Sequence, residues 1–182
     1  MIETHDLGLL PEYEIERRSE GRTPWDAARD PKANPVKLLA GAADLANQMD
    51  PKNVPALTKL LAHQDPAMRF WGAVGLVALG AKASPAAAAL RKALKDPAPN
   101  PRVAAAEALS FCGGLDDALP VLVEALRHES AFIRLRAMNA LERLGPKAKP
   151  AAQAMRAAAM TGGHAAEYVT RMAEYVPARL DR

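Results

Sequence analysis

The chain has 182 residues, of which 49% are hydrophobic, 25% are charged and 4% are aromatic. Its single cysteine, Cys112, excludes a framework of internal disulfides and a cysteine-rich zinc site. A net charge of +3 permits binding to nucleic acid without indicating it. No uninterrupted apolar run approaches the ~18 to 20 residues of a membrane span. Met1–Asp6 lacks the features of a secretory signal, and the sequence does not assign the protein to a cellular compartment.

The composition favours an all-α fold, because 40 of the residues are alanine, the best helix former and a poor strand former. In chain order, residues 1–23 show no clear period and are predicted to form an extended arm. Residues 24–182 are predicted to form one helical domain. Its segments are N-terminal cap helices at 24–49, repeats at 53–80, 85–113 and 117–145, and a C-terminal helix pair at 150–181, broken by Thr161-Gly162-Gly163.

The repeat becomes visible when Arg69, Arg102 and Arg134, separated by 33 and 32 residues, are placed in register. Offsets of −1, +4, +7 and +10 from each arginine are mostly apolar and trace one stripe of an α-helix. A glycine follows at +11, where a helix ends in a left-handed residue. Upstream leucines predict a preceding helix. The shared positions include Leu76, Leu109 and Leu141 at +7, Gly80, Gly113 and Gly145 at +11, and the pairs Leu57/Leu61, Leu90/Leu94 and Leu122/Leu126.

Each unit of about 32 residues therefore reads as a helical hairpin that cannot bury its apolar stripe alone. Stacking of successive hairpins buries the stripes in a common core. The predicted fold class is an all-α, α-α superhelix, a solenoid of stacked hairpins.

The string from Asp65 to Gly80, DPAMRFWGAVGLVALG, resembles a HEAT repeat. The usual pattern of that family is Asp-Pro, a hydrophobic-Arg pair, an Ala-rich helix and a closing Leu-Gly. The later copies depart from it: Glu129-Ser130 replaces Asp-Pro in the third, and the second carries an inserted proline pair. The resemblance implies a solenoid that binds other proteins.

More narrowly, the chain resembles the C-terminal HEAT-like extension of some bacterial sulfatases. The segments that carry this likeness are Thr4–Glu12, Gly21–Arg29 and Arg69–Phe70–Trp71 leading into Gly75–Leu76. Such sulfatases make their formylglycine nucleophile in a Cys/Ser-x-Pro-x-Arg motif, which this chain lacks. The resemblance therefore implies an accessory module or a fragment of a longer protein, with a sulfatase catalytic domain as its partner and export as its destination.

No constellation in the sequence predicts catalysis, a cofactor or a metal site. His128-Glu129 is one His-Glu pair, whereas the di-iron centre of some HEAT-like hydroxylases takes several such pairs, so an ordinary turn between helices is predicted. Cys112 holds a stripe position equivalent to Leu79 and Leu144, which predicts a packed, unreactive thiol. The protein is predicted not to be an enzyme.

The arginines Arg69, Arg102 and Arg134 could form a ladder for phosphates. The structural interpretation is favoured, because Asp65 and Asp96 precede two of them closely enough to pair with them locally.

A candidate partner surface comes from offsets +2, +5 and +9, which point away from the apolar stripe and would align along one face, usually the concave one. Its residues are Trp71, Val74, Glu107, Phe111, Arg136, Asn139 and Arg143. Trp71 is predicted to pack against the N-terminal helix or the arm that holds Pro24–Trp25. The row on the third repeat, with two arginines and an amide, is predicted to stay accessible.

Two functions of different class follow. The first is a non-enzymatic module that binds a protein, such as a sulfatase catalytic domain. The alternative is a DNA-binding HEAT-like protein of the alkylpurine glycosylase type, supported by a pI near 9.1 and by Arg136 and Arg143. Mixed charges and few aromatics make nucleic acid the less favoured partner.

Overall fold

The computed structural model describes residues 10–32 and 34–180. In this part of the chain all regular structure is helical. The α-helices are α1 (Glu12–Ser19), α2 (Pro24–Arg29), α3 (Val36–Asn47), α4 (Val54–Leu60), α5 (Pro66–Leu79), α6 (Ala87–Ala93), α7 (Pro99–Phe111), α8 (Leu115–Ala125), α9 (Ala131–Leu144), α10 (Ala152–Arg156) and α11 (His164–Leu180); 3-10 segments cover Pro51–Asn53, Gly80–Ala86 and Gly145–Ala151.

The helices pack in two layers. Helices α3, α5, α7, α9 and α11 pack side by side in an inner layer. Helices α4, α6, α8 and α10 form an outer layer, in which each helix packs against the inner helix that follows it. This arrangement confirms the predicted all-α solenoid of stacked hairpins.

The predicted apolar stripe forms the core between the layers. The leucines at +7 from the repeat arginines, Leu76, Leu109 and Leu141, are all fully buried. The second helix of the first and third hairpins ends at a glycine, Gly80 or Gly145, with φ near +55° and ψ near −130°. Because a side chain disfavours this backbone region, glycine marks the end of the helix, as predicted.

Helix α7 lies at the centre of the stack and contacts both neighbours in each layer, α5, α6, α8 and α9. Every residue from Val103 to Ser110 is buried, including the charged Glu107. Four of these eight residues are alanine, which allows neighbouring helices to approach from all sides. The alanine-rich composition thus serves close packing as well as helix propensity.

Close packing between α4 and α5 requires glycine at position 72. A Cβ atom there would lie 2.7 Å from the Leu60 Cβ and 2.9 Å from the carbonyl oxygen of Leu57. We expect Gly72→Ala to lower the free energy of unfolding by about 1–3 kcal/mol. Gly41→Ala is the matched control, because a Cβ on Gly41 meets nothing within 4 Å and alanine improves helix propensity by up to ~1 kcal/mol. Urea unfolding of both variants checks this, and a stabilised Gly72→Ala contradicts it.

The prediction of an extended arm over 1–23 is wrong for residues 12–19, which form helix α1. Residues 1–9 lie outside the described part. Leu10 is buried beside Leu39 and Met68, and Ile15 packs against the same apolar cluster. The helix is eight residues long, too short to be stable alone, so its helicity depends on contacts with the solenoid in addition to the local Glu14–Arg17 and Glu14–Arg18 pairs.

One stretch, residues 66–93, is long and apolar enough to cross a membrane by length and composition, with a mean hydropathy of 1.5 over its best window. In the structure it comprises α5, the 3-10 segment and α6, and the chain turns at Gly80. Core helices of globular proteins meet the same criterion, so the stretch is weak support for a membrane segment.

Candidate functional site: the α9 groove

The repeat arginines lie at the inter-helix turns and join one repeat to the next. Arg69 donates from Nε and Nη2 to both carboxylate oxygens of Asp96, at 2.6 and 2.7 Å, and from Nη1 to the carbonyls of His63 and Gln64. Asp96 also accepts the Ala98 N–H at the start of α7. The bond therefore links the turn of one hairpin to the turn of the next.

The other two arginines hold equivalent places. Arg134 donates to the carbonyl of His128 in its own turn and to the carbonyl of Ala158 in the following hairpin. Arg102 donates to the carbonyls of Asp96 and Pro97 in its own turn. All three thus bond to turn carbonyls, which fits the structural interpretation of these residues.

The predicted local carboxylate pairs are wrong. Asp96 pairs with Arg69 of the preceding repeat instead of with Arg102, and Asp65 pairs with Arg18 of α1 instead of with Arg69. Asp65 caps α5 through the Ala67 N–H, and Asp96 accepts the Ala98 N–H just before α7. Each aspartate is thus reached by an arginine that precedes its own hairpin in the chain, from α1 for Asp65 and from the preceding repeat for Asp96.

The predicted row on α9 lines a groove of about 160 Å³, which we call the α9 groove. Its lining residues are Glu12, Phe132, Leu135, Arg136, Asn139 and Arg143. The Arg143 side chain is 53% exposed and bonds through Nε to the buried carboxylate of Glu107. The groove thus combines an accessible guanidinium, an amide and two apolar walls.

Arg136 lies deeper in the α9 groove. Its Nε donates to Asn100 Oδ1 at 2.9 Å, and its guanidinium carbon lies 4.5 Å from the centre of the Phe70 ring. Burial, the largest cause, lowers the pKa of Arg136, while the charges of Glu12 and Glu107 oppose this shift. An arginine nevertheless stays protonated at neutral pH, so Arg136 gives the floor of the groove a positive charge.

The other predicted surface residues lie within the packing. Trp71 is half-buried against the apolar cluster that contains Leu39 of α3, the N-terminal helix. The side chain of Trp25, the other predicted neighbour, lies outside what the structure describes. Val74 and Phe111 are half-buried against the main core, and Glu107 is buried. The structure brings Arg136, Asn139 and Arg143 together in the α9 groove; Glu107 contacts this row through Arg143, and the other three residues are not among those that line the groove.

Helix α1 covers the edge of the α9 groove, which the sequence did not predict. Glu12 lies 3.6 Å from Arg136, and the Tyr13 ring meets His128 edge-on with 5.5 Å between centroids. At the other end of the helix, Arg18 donates to both oxygens of Asp65. The helix therefore bridges the turns of the first and third hairpins.

The Arg18–Asp65 pair predicts a pH effect. Burial would raise the pKa of Asp65, but the hydrogen bond and charge of Arg18 hold this pKa below its ordinary value. A carboxyl with a depressed pKa in the folded state stabilises the fold above its unfolded pKa of about 3.9, and this contribution disappears as the pH falls through the folded pKa. We expect Arg18→Ala to lower the free energy of unfolding at pH 7, and the part of this loss that comes from Asp65 to shrink as the pH falls below about 3.9. A stability difference that stays constant across this range contradicts the assignment.

His128 and Cys112 have structural contacts. His128 lies in the turn between α8 and α9, where its Nδ1 accepts the Ser130 N–H at 3.0 Å, and His63 bonds in the same way to Asp65 N–H. Burial raises the pKa of the Cys112 thiol, which lies 3.6 Å from the Gly80 carbonyl oxygen. Among residues 10–32 and 34–180, no group of three or more His, Cys, Asp or Glu side chains is placed to hold a metal ion.

A layered stack of hairpins, cross-linked through its turns and open at a polar groove, defines a helical-repeat solenoid of the scaffold type. A family model described as HEAT repeats matches residues 26–110 and 87–172. The chain belongs to the HEAT-repeat family, whose members are typically non-enzymatic scaffolds that mediate protein–protein interaction. No curated protein sequence matches the chain.

Proposed function

We propose that this protein is a non-enzymatic interaction module that binds another protein through the α9 groove. The observation that carries the proposal is the convergence of Arg136, Asn139 and Arg143 on one accessible groove. The cross-linked turns hold α9 in place before a partner arrives, which lowers the ordering cost of binding.

The proposed partner is a catalytic domain of the sulfatase type, to which the chain serves as an accessory C-terminal module. The support is the resemblance of the Thr4–Glu12, Gly21–Arg29 and Arg69–Trp71 segments to sulfatase extensions. The reading frame upstream of Met1 tests the attachment. An in-frame Cys/Ser-x-Pro-x-Arg supports it, and an unrelated upstream domain contradicts it.

Binding is tested with the full chain and a formylglycine-type sulfatase domain from the same genome, measured by calorimetry. We expect Asn139→Asp to change the affinity at least tenfold, because it places a carboxylate between Arg136 and Arg143. Gln153→Glu on the outer helix α10 adds the same unit of charge on an exposed position and should leave the affinity unchanged. Absence of binding, or equal effects of the two variants, contradicts the proposal.

DNA binding of the alkylpurine glycosylase type has less support. Arg143 lies against Glu107, and Arg136 lies near Glu12, so carboxylates offset both guanidinium charges that this alternative requires. Duplex binding that weakens steeply with added salt would favour DNA as the partner.

A further inference from the structure

Helix α1 has the properties of a bound ligand more than those of a repeat. It has eight residues, too few for a stable helix in isolation. Its contacts lie on different hairpins: Arg18 on Asp65 before α5, Tyr13 on His128 before α9, and Glu12 on Arg136 within α9. The helix thus takes its conformation from the surface on which it lies.

The contacts of α1 are chemically specific. The Glu12 carboxylate faces the cationic floor of the α9 groove, and the Tyr13 ring contacts the His128 imidazole. The Arg18 guanidinium donates to Asp65, which caps α5. The first contact is loose, since the Glu12 side chain is 58% exposed and 3.6 Å from Arg136. The groove also continues past Glu12 along Phe132, Leu135, Asn139 and Arg143, so α1 fills only part of it.

The connection between α1 and the solenoid is a tight turn. Glu20 and Gly21 follow α1 with φ values of +49° and +79°. Glu20 is not a glycine, and a residue that carries a Cβ atom disfavours the left-handed region. Release of α1 from the surface would allow Glu20 to leave this conformation.

We propose that the α9 groove and the adjacent turns form a docking site for a helical segment of a partner protein with the chemistry of α1, and that α1 occupies this site in cis. The partner segment carries a carboxylate for Arg136, an aromatic residue beside it for His128, and a basic residue farther along the helix for Asp65. Displacement of Glu12 leaves the Arg136 guanidinium for an acidic residue of the partner, whereas Arg143 stays paired with Glu107. The inference deepens the proposed function and rests on it.

The test uses the full chain and a fluorescein-labelled synthetic peptide with the sequence of residues 10–20, LPEYEIERRSE. In the wild type, α1 competes at an effective concentration on the order of millimolar, so we expect weak binding. In the triple variant Glu12→Ala/Tyr13→Ala/Arg18→Ala, α1 loses its three specific contacts while the peptide keeps them. We expect fluorescence anisotropy to report at least tenfold tighter binding to this variant.

Charge reversal makes the test specific. Adding Arg136→Glu to the triple variant should weaken binding of the peptide, and a peptide with lysine in place of Glu12 should recover the lost affinity. Equal binding to the wild type and the triple variant, with helical content unchanged by circular dichroism, overturns the inference. So does binding that is insensitive to Arg136→Glu.

A second measurement does not depend on the variants. Saturating peptide should speed hydrogen exchange at the α1 amides of the wild-type chain, because it displaces α1; unchanged exchange contradicts the inference. Failure here is distinguishable from failure of the proposed function. If a sulfatase domain binds in an Asn139-dependent way and the peptide does not compete with it, the proposed function stands and the inference of a docking site for a helix like α1 is contradicted.

Discussion

Arg69→Ala is expected to lower the free energy of unfolding by about 3–5 kcal/mol, because it leaves a buried carboxylate without its charged partner. The Arg69 and Asp96 side chains are 13% and 4% exposed and form two short parallel hydrogen bonds. Arg69 also bonds to two carbonyls of its own turn. Urea unfolding monitored by circular dichroism measures the loss.

The matched control is Arg91→Ala, which removes another arginine–aspartate pair between successive hairpins. Arg91 and Asp117 are joined at 2.8 Å, but their side chains are 52% and 53% exposed. An exposed pair contributes about 0–1 kcal/mol. If both variants lose the same stability, the turns are not the cross-links that hold the repeats together.

Leu109→Ala is expected to cost about 2–5 kcal/mol, since Leu109 is fully buried in the central helix α7. Its side chain also occupies the space left by Gly114 at the start of α8. A Cβ on Gly114 would lie 2.6 Å from both Cγ and Cδ1 of Leu109. Gly114→Ala alone should therefore cost about 1–3 kcal/mol through overpacking.

The two substitutions should not be additive. In a Leu109→Ala background the clashing atoms are absent, so Gly114→Ala should cost close to nothing, which corresponds to a coupling of at least ~1 kcal/mol. In a Leu76→Ala background, where the equivalent leucine of the preceding repeat is removed, Gly114→Ala should keep its full cost. Additivity within ~0.5 kcal/mol in the Leu109 background contradicts the packing described for α7 and α8.

The repeat period of the sequence predicted those features of the fold that depend on helix geometry within one hairpin. The buried leucines, the turns and the glycine at the helix ends all follow from spacing within a single hairpin, so three copies suffice to locate them. The row on α9 was also predicted, because offsets from Arg134 place Arg136, Asn139 and Arg143 on one side of one helix.

The pairings between repeats could not be read from equal offsets. Arg136 bonds to Asn100 and Arg143 to Glu107, and both pairs are 36 residues apart. The repeat is 32 to 33 residues long, so in each pair the α9 arginine lies about one helical turn past the position equivalent to its partner. The Arg69–Asp96 pair has the opposite sense, because its 27-residue separation is shorter than one repeat. A search of the sequence for polar partners separated by one repeat length plus one helical turn would have found both pairs that involve α9.

Helix α1 was missed for a different reason. Its residues follow no period, and its partners His128 and Arg136 lie more than 110 positions away in the chain. The helix has few favourable local signals beyond glutamates in its first turn and arginines in its last. The Glu14–Arg17 and Glu14–Arg18 pairs are further local signals, but eight residues are too few to stand out by periodicity.

Site-specific photo-cross-linking tests the central claim, that the α9 groove is where this scaffold binds another protein. A benzophenone side chain is introduced at Asn139 in one version of the full chain and at Gln153 on the outer layer in another, and each is irradiated with the sulfatase-type domain. The account predicts one cross-linked product from position 139, lost when excess unlabelled domain competes, and none from position 153. Equal yields from both positions, or capture from 153 alone, would contradict it.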